Sequence, residues 1–398
     1  MKTKRVDDLE KKYVADVLES QFRTSSGAKY MKLLENEFSK KMDCNHAVSF
    51  INGTATMHAC LEAWGIGVGD EVIVTPLTMS STTFAVLQAN ATPVYADVDK
   101  DTFNIDPKSI EEKITPKTKA IITVSLYGLS PDYDKIIEAI RGRDIKLLED
   151  NAECFLGKYM NRTVGSIGDA SSFSFQSSKH LTSGEGGIVT TNDEEFAIRL
   201  RKIQSLGYLG VGKAAKIKKS DIQDPSYNRH GSLGWNYRMP ELCAAVAYAQ
   251  TKRIESLVDI RIKTAQLFSD AVSEYKEFLT EQYVPEGYEN SYWTWVAKIK
   301  EKEMWHPFKD LFIENGGDSF YSAWQLSYLE PFIKDMNLLS RENFISENNL
   351  QTYKNNPCPV AEDLQPRLMQ FKTNYWDLED AKVQAGILHN TCRKFFEA

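Results

Sequence analysis

"SFSFQSSKHLTSGEGG", residues 172–187, decides how this chain of 398 residues is read. It runs apolar and β-prone as far as Phe175 and then turns polar. A single lysine, Lys179, stands in the middle, and the stretch closes on Glu185, Gly186 and Gly187. An amine at a strand end is costly to bury unless paired or uncharged, and chains that keep one there often use it. Taken alone, such a lysine is more often a surface residue whose stem lies along apolar neighbours. The rest of the chain has to settle the choice.

Around this stretch, from about residue 47 to 192, short apolar runs alternate with helical ones. "AVSFI" (47–51), "EVIVT" (71–75), "PVYAD" (93–97), "KAIITVS" (119–125), "IKLLED" (145–150), "SSFSF" (171–175) and "GIVTT" (187–191) read as strands. "TATMHACLEAWGI", "TTFAVLQAN" and "YDKIIEAIRG" between them carry helical apolar spacing. Such alternation predicts an α/β fold with a mostly parallel, seven-stranded sheet covered by helices on both faces. From Met239 to Tyr275 the pattern becomes one long, bent helical stretch with a proline near its first turn. Strand-like "YWTWVAKI", further helices and a terminal helix through "DLEDAKVQAGILHNTCRKFF" follow. The expected division is a large α/β domain over residues 1–250 and a smaller C-terminal α+β domain over 251–398. Two N-terminal helices, in "LEKKYVADVLES" and "YMKLLENEFSKKM", are assigned to the larger domain.

An apolar content of 42% and a charged content of 26% are those of an ordinary soluble globular protein. A net charge of -7 argues against nucleic acid as a partner, because phosphate binding leans on clustered Lys and Arg. The one basic run, "KAAKIKKSD" at 213–221, reads as a solvated loop. Cys44, Cys60, Cys154, Cys243, Cys358 and Cys392 lack CxxC or zinc spacing, so reduced core cysteines and no metal are expected. The basic start lacks an apolar stretch behind it, and no apolar run reaches membrane-spanning length. A cytoplasmic protein is expected.

Ligands of open α/β sheets gather outside the carboxyl ends of the strands, and three motifs sit at such places. "NGTAT" (52–56) joins a strand to a helix. The amides of Gly53, Thr54 and Ala55 would suit a phosphate, although a plain turn capped by Thr54 reads equally well. "LLEDNAECFLG" (147–157) ends an apolar strand on Glu149 and Asp150, a pair that needs a cation or donors when buried. By itself Asp150 reads as a helix cap. In the third motif Ser174 precedes Lys179 by five residues, so a hydroxyl and an amine can face one pocket, with glycines 184, 186 and 187 beneath.

A phosphate cradle, a carboxylate for a protonated pyridine nitrogen and a lysine able to form a Schiff base are what pyridoxal 5'-phosphate requires. Their order resembles that of the aspartate-aminotransferase-like enzymes, fold type I of the pyridoxal phosphate proteins. The chain resembles the DegT/StrS family of sugar aminotransferases over nearly its whole length. "GDEVIV", "ATPVYADVD", "ITPKTKAII", "EDNAECFLG", "SFSFQSSKHLTSGEGG", "GWNYRMPELCAA" and "CPVAE" stand in the family's order.

That resemblance implies roles. Lys179 would hold the cofactor and shuttle a proton, and Asp150 would pair with the ring nitrogen. Gly53, Thr54 and Ser174 would bind the phosphate. Asn236 would reach the phosphate of a neighbouring subunit's cofactor, because the family shares its sites across a homodimer. Met79 stands where the family usually stacks an aromatic on the ring, and sulfur can take that contact. Glu153, where Gln or His is common, would lie toward the phenolic side of the ring. In a side branch of the family, histidine replaces the lysine and the enzyme is a dehydratase. The spacings from Ser174 and to Glu185 put Lys179, not His180, at that position.

His180, His230, Arg238 and Tyr321 are the candidates for substrate contact; Tyr321 and its neighbour Trp324 read at least as well as small-domain core. The implied reaction is ping-pong transamination from L-glutamate to a keto sugar, most often nucleotide-linked. A cyclitol ketone or a keto sugar acid is the alternative acceptor. A non-catalytic regulator on the same fold is a further alternative, opposed by the intact Lys179, Asp150 and Ser174.

Overall fold

The computed structural model describes residues 2–22, 28–211, 219–355 and 357–397; the basic run at 213–218 lies outside them. The runs read as strands form β1 (His46–Phe50), β2 (Glu71–Val74), β3 (Thr92–Tyr95), β4 (Thr118–Val124) and β5 (Lys146–Asp150). Two short strands, β6 (Lys158–Tyr159) and β7 (Arg162–Thr163), precede β8 (Ala170–Ser174) and β9 (Gly187–Thr191). The main sheet has seven strands in the order β1-β9-β8-β5-β4-β2-β3, and only β9 runs against its neighbours. Every residue of β2, β8 and β9 is buried, which is why these segments read as continuous apolar or small-residue runs.

Alternation splits each strand between two cores. Val72, Val74 and Ile122 face one cluster, while Ile73 and Ile121 face another. The helices that cover the sheet include α3 (Gly53–Ala63), α4 (Ser81–Gln88), α5 (Pro107–Lys113), α6 (Tyr133–Ile140) and α7 (Glu194–Gln204). The N-terminal helices α1 (Asp8–Glu19) and α2 (Tyr30–Lys41) pack on a later helix, α9 (Glu241–Thr251), which a short helix α8 (Lys219–Gln223) precedes.

The long helical stretch expected after Met239 is broken. α9 ends at Thr251 and α10 runs Ile254–Ala271. Between them Arg253 leaves helical geometry and donates to Glu10 and to the carbonyls of Lys4 and Arg5, fixing the N-terminus to the break. A second, antiparallel sheet follows in the order β10-β12-β14-β13 (Leu279–Glu281, Thr294–Ile299, Leu368–Lys372, Tyr321–Ser322). α10 and the terminal helix Leu378–Phe396 cover it. A small sheet joins β6 and β7 to β11 (Tyr288–Glu289). Leu326, Tyr328, Ile333, Ile345 and Tyr353 return to the core of the first sheet, with Tyr328 and Tyr353 edge-on to Tyr95 of β3.

Candidate active site

β5 delivers two carboxylates and alternation parts them. Glu149 is satisfied on its own side by the amides of Gly165, Ile167 and Gly168 at 2.7–2.8 Å, a structural role. Asp150 turns the other way, buried, and accepts from Thr82 Oγ1 at 2.9 Å and Ala152 N–H at 3.2 Å. No helix follows β5 directly, so the cap reading of Asp150 is wrong. Burial raises its carboxyl above the usual range; the Thr82 and Ala152 hydrogen bonds and the charge of Lys179 pull it partly back. A carboxylate in that condition gains from a cationic hydrogen-bond donor placed against it.

At the end of β1 the chain turns into α3. Asn52, not Thr54, is the cap, accepting from Ala55 N–H at 2.8 Å. A side chain on Gly53 would meet Ser174 Cβ at 2.9 Å and its Oγ at 3.2 Å. The helix N-terminus and the serine hydroxyl therefore meet at one point. Gly187 of β9 lies under the same turn, where a Cβ would fall 2.6 Å from the carbonyl carbon of Asn52. Of the opening motif's glycines, Gly187 permits this close approach, whereas Gly184 holds a left-handed φ of 84° and Gly186 packs against Ser183, Met239 and Phe175.

Lys179 leaves the turn after β8 with its side chain only 12% exposed. Its Nζ lies 3.4 Å from Glu153 Oε1 and 4.1 Å from the centroid of the Trp293 ring. Glu153 is buried, and its second oxygen accepts from Tyr127 N–H at 3.0 Å. Tyr127 holds the left-handed φ of 62° that aims this amide. Burial raises the Glu153 carboxyl, and the Lys179 ammonium opposes the shift. Sequence reading missed Thr82, Tyr127 and Trp293. Each lies far along the chain from Lys179, in a segment whose pattern reports only a helix, a turn or a strand.

The other predicted residues divide. His180, expected near substrate, is 1% exposed and bonds Ser291 O through Nε2 at 2.9 Å, with Phe155 against its ring. Burial first and then Arg261 hold it well below the usual imidazole range, so it is a neutral wall residue and not a substrate contact. Met79 is 48% exposed in the turn before α4. Asn236 and His230 are exposed; His230 Nδ1 meets Leu206 O at 2.7 Å and its ring faces Tyr208. Arg238 is half-buried with its Nη1 unpartnered among the described residues. Tyr321 is 72% exposed on β13, and so is not core. Trp324 stacks on Trp293 at 5.6 Å and 11°, and thereby joins the wall behind Lys179.

A glycine-lined helix start with a serine hydroxyl, a buried carboxylate raised by desolvation and a nearly buried lysine fit pyridoxal phosphate at its phosphate, ring nitrogen and aldehyde. Fold and constellation together define a pyridoxal-phosphate-dependent aminotransferase of fold type I. The chain belongs to the DegT/DnrJ/EryC1/StrS aminotransferase family, which matches residues 4–384.

It is 37% identical over 290 residues, 73% of each chain, to the spore coat polysaccharide biosynthesis protein SpsC of Bacillus subtilis. It is 36% identical over 264 residues to the GDP-perosamine synthase of Escherichia coli O157:H7, covering 66% of this chain and 68% of that one. Among solved structures, the aminotransferase from Psychrobacter cryohalolentis superposes with a TM-score of 0.86 at 28% identity, over 98% and 97% of the two chains. The E. coli GDP-4-keto-6-deoxy-D-mannose-3-dehydratase with bound hydrated pyridoxal phosphate superposes with a TM-score of 0.81 at 26% identity, over 97% and 98%.

Proposed function

We propose that the protein transfers an amino group from L-glutamate to the ketone of a nucleotide-linked deoxysugar, yielding an amino sugar in the cytoplasm. The observation that carries this reading is the convergence of Lys179, Asp150 and the Gly53–Ser174 contact at the carboxyl edge of one sheet. The sugar-nucleotide acceptor is supported by the likeness to a GDP-perosamine synthase.

Bound pyridoxal phosphate supplies an electron-poor ring that accepts charge from the donor carbon. Asp150 keeps the ring nitrogen protonated. The amides of Gly53 and Thr54 and the hydroxyl of Ser174 would hold the phosphate, and Met79 would offer its sulfur to the ring. Lys179 first anchors the cofactor and then carries the proton to and from the substrate carbon. Glu153 would interact with the phenolic group of the ring and, with Trp293, would give the released amine the resting place it has here. The large and small domains meet around this pocket, divided near residue 250.

The second subunit completes the site in this reading. Leu233, Met79 and Ile51 are large apolar residues left exposed in one chain, which a homodimer would cover while bringing Asn236 to the partner's cofactor phosphate. Arg238, whose Nη1 has no partner among the described residues, and exposed His230 and Tyr321 are the residues assigned to the acceptor.

The acceptor is tested by incubating enzyme with L-glutamate, removing the donor, and offering nucleotide-linked keto sugars, keto sugar acids and cyclitol ketones in parallel. Mass spectrometry should find the amino product only with the nucleotide-linked sugars. Amination confined to the other two classes would overturn the acceptor while leaving transamination intact.

A further inference from the structure

Arg261, on α10, is 1% exposed, and no carboxylate lies within ion-pair distance of it among the described residues. A fully buried guanidinium without a counter-ion has to be neutralised by dipoles. Its partners are specific. Nη2 donates to the carbonyls of Ser178 and Lys179, each at 3.1 Å, while Nη1 donates to the Trp293 carbonyl at 2.8 Å and to Thr373 Oγ1 at 3.1 Å. Trp293 closes the ring of contacts, its indole N–H donating to the same Ser178 carbonyl at 3.0 Å. Burial brings the guanidinium down to about 9, so the arrangement carries a real cost.

We propose that Arg261 is a positioning residue that clamps the main chain of Lys179 against Trp293, fixing where the lysine amine meets the cofactor. The inference rests on the assignment of Lys179 as the cofactor-bearing lysine. The logic is one of leverage. The amine has to reach either the cofactor or its resting place between Glu153 and Trp293, and both are set relative to the backbone at 178, 179 and 293. One planar guanidinium with forked donors holds all three carbonyls, which a lysine's point charge would not do.

The test compares wild type with Arg261→Met and Arg261→Lys at saturating pyridoxal phosphate. Three readouts are taken: total bound cofactor, the fraction of it absorbing as the Lys179 imine in the visible, and kcat against KM for glutamate. Both variants should bind cofactor through the untouched phosphate cradle. The imine fraction should fall, and kcat should fall by roughly 10–100-fold with KM little changed, because a small misplacement destroys effective molarity.

A lowered melting temperature with wild-type imine fraction and kcat would show a purely structural arginine and overturn the proposal. So would full recovery of both by Arg261→Lys. If neither variant folds, Thr373→Val decides, since that hydroxyl touches the guanidinium but not Lys179. A smaller fall in imine fraction supports the clamp, and none refutes it. Absence of a visible band in wild type would instead strike the assignment of Lys179.

Discussion

The two ends of the pocket are built differently. Around Lys179 the ionisable groups of the site are tied down: Glu153 to Tyr127, Asp150 to Thr82, the lysine amine to Glu153 and Trp293, while the Tyr127 hydroxyl and His180 Nδ1 behind them find no partner among the described residues. At the other end Asn236 is exposed and Leu233 is 83% exposed, while half-buried Arg238 keeps a buried Nη1 with no partner among the described residues. One chain therefore brings Lys179, Asp150, Glu153 and the Gly53–Ser174 cradle together, whereas the proposed second subunit adds Asn236 to the cofactor phosphate and the acceptor side gains its contacts from what docks there. Preorganised groups belong where charge develops, and adaptable ones where partners arrive.

The largest effect expected from this contrast is at its wired end. Lys179→Ala should cut transamination by about 10⁴-fold or more, since anchor and proton carrier are lost together. Asp150→Asn should cost roughly 10²–10³ in kcat, as for other groups that stabilise developing charge.

The same substitution has the opposite sign on the cofactor-free fold. Burial raises the Asp150 carboxyl, so the folded protein holds that proton more tightly than the unfolded chain does. Its contribution is therefore present at low pH and lost as pH rises through the folded value. Cofactor-free Asp150→Asn should melt above wild type at pH 8, with the gap closing toward pH 4. A gap that does not vary with pH would contradict the burial argument.

Gly53→Ala comes next. Its Cβ would fall 2.9 Å from Ser174 Cβ, and overpacking of this kind costs about 1–3 kcal/mol. Cofactor affinity should weaken at least tenfold by equilibrium dialysis while the acceptor KM stays near wild type. At the open end effects should be smaller. Asn236→Ala should lower cofactor affinity by about 1 kcal/mol, the worth of one hydrogen bond, and only in the dimer. Leu233→Asp should shift sedimentation toward monomer. An Asn236 effect that persists in monomer would show that the two ends are not divided between chains.

The wired end was also the more legible one. A lysine behind a strand, a carboxylate ending another and glycine at a strand–helix turn are each local; each alone reads as a surface lysine, a cap or a turn, and it is their order and the family resemblance that single out Lys179, Asp150, Ser174 and Gly53. Arg261 left a trace too. It occupies the apolar stripe Leu257–Ala265–Phe268 of α10, where a charge is out of place, but nothing local says that its partners are the carbonyls of Ser178 and Lys179. His180 misled because adjacency to the lysine implied the pocket, whereas the turn after β8 sends its ring into the wall. The break between α9 and α10 was hidden for a similar reason. Arg253 stops the helix through contacts with residues 4 to 10, which periodicity does not see. Tyr328 and Tyr353 crossed back to the first sheet by contacts equally distant in sequence.

The most direct test is the visible absorption spectrum of the purified protein with pyridoxal phosphate, before and after L-glutamate, beside Lys179→Ala. A visible band that glutamate bleaches, and that the variant lacks, is the predicted result. No band in wild type, or an unchanged band in the variant, would contradict the assignment of Lys179 on which the account stands.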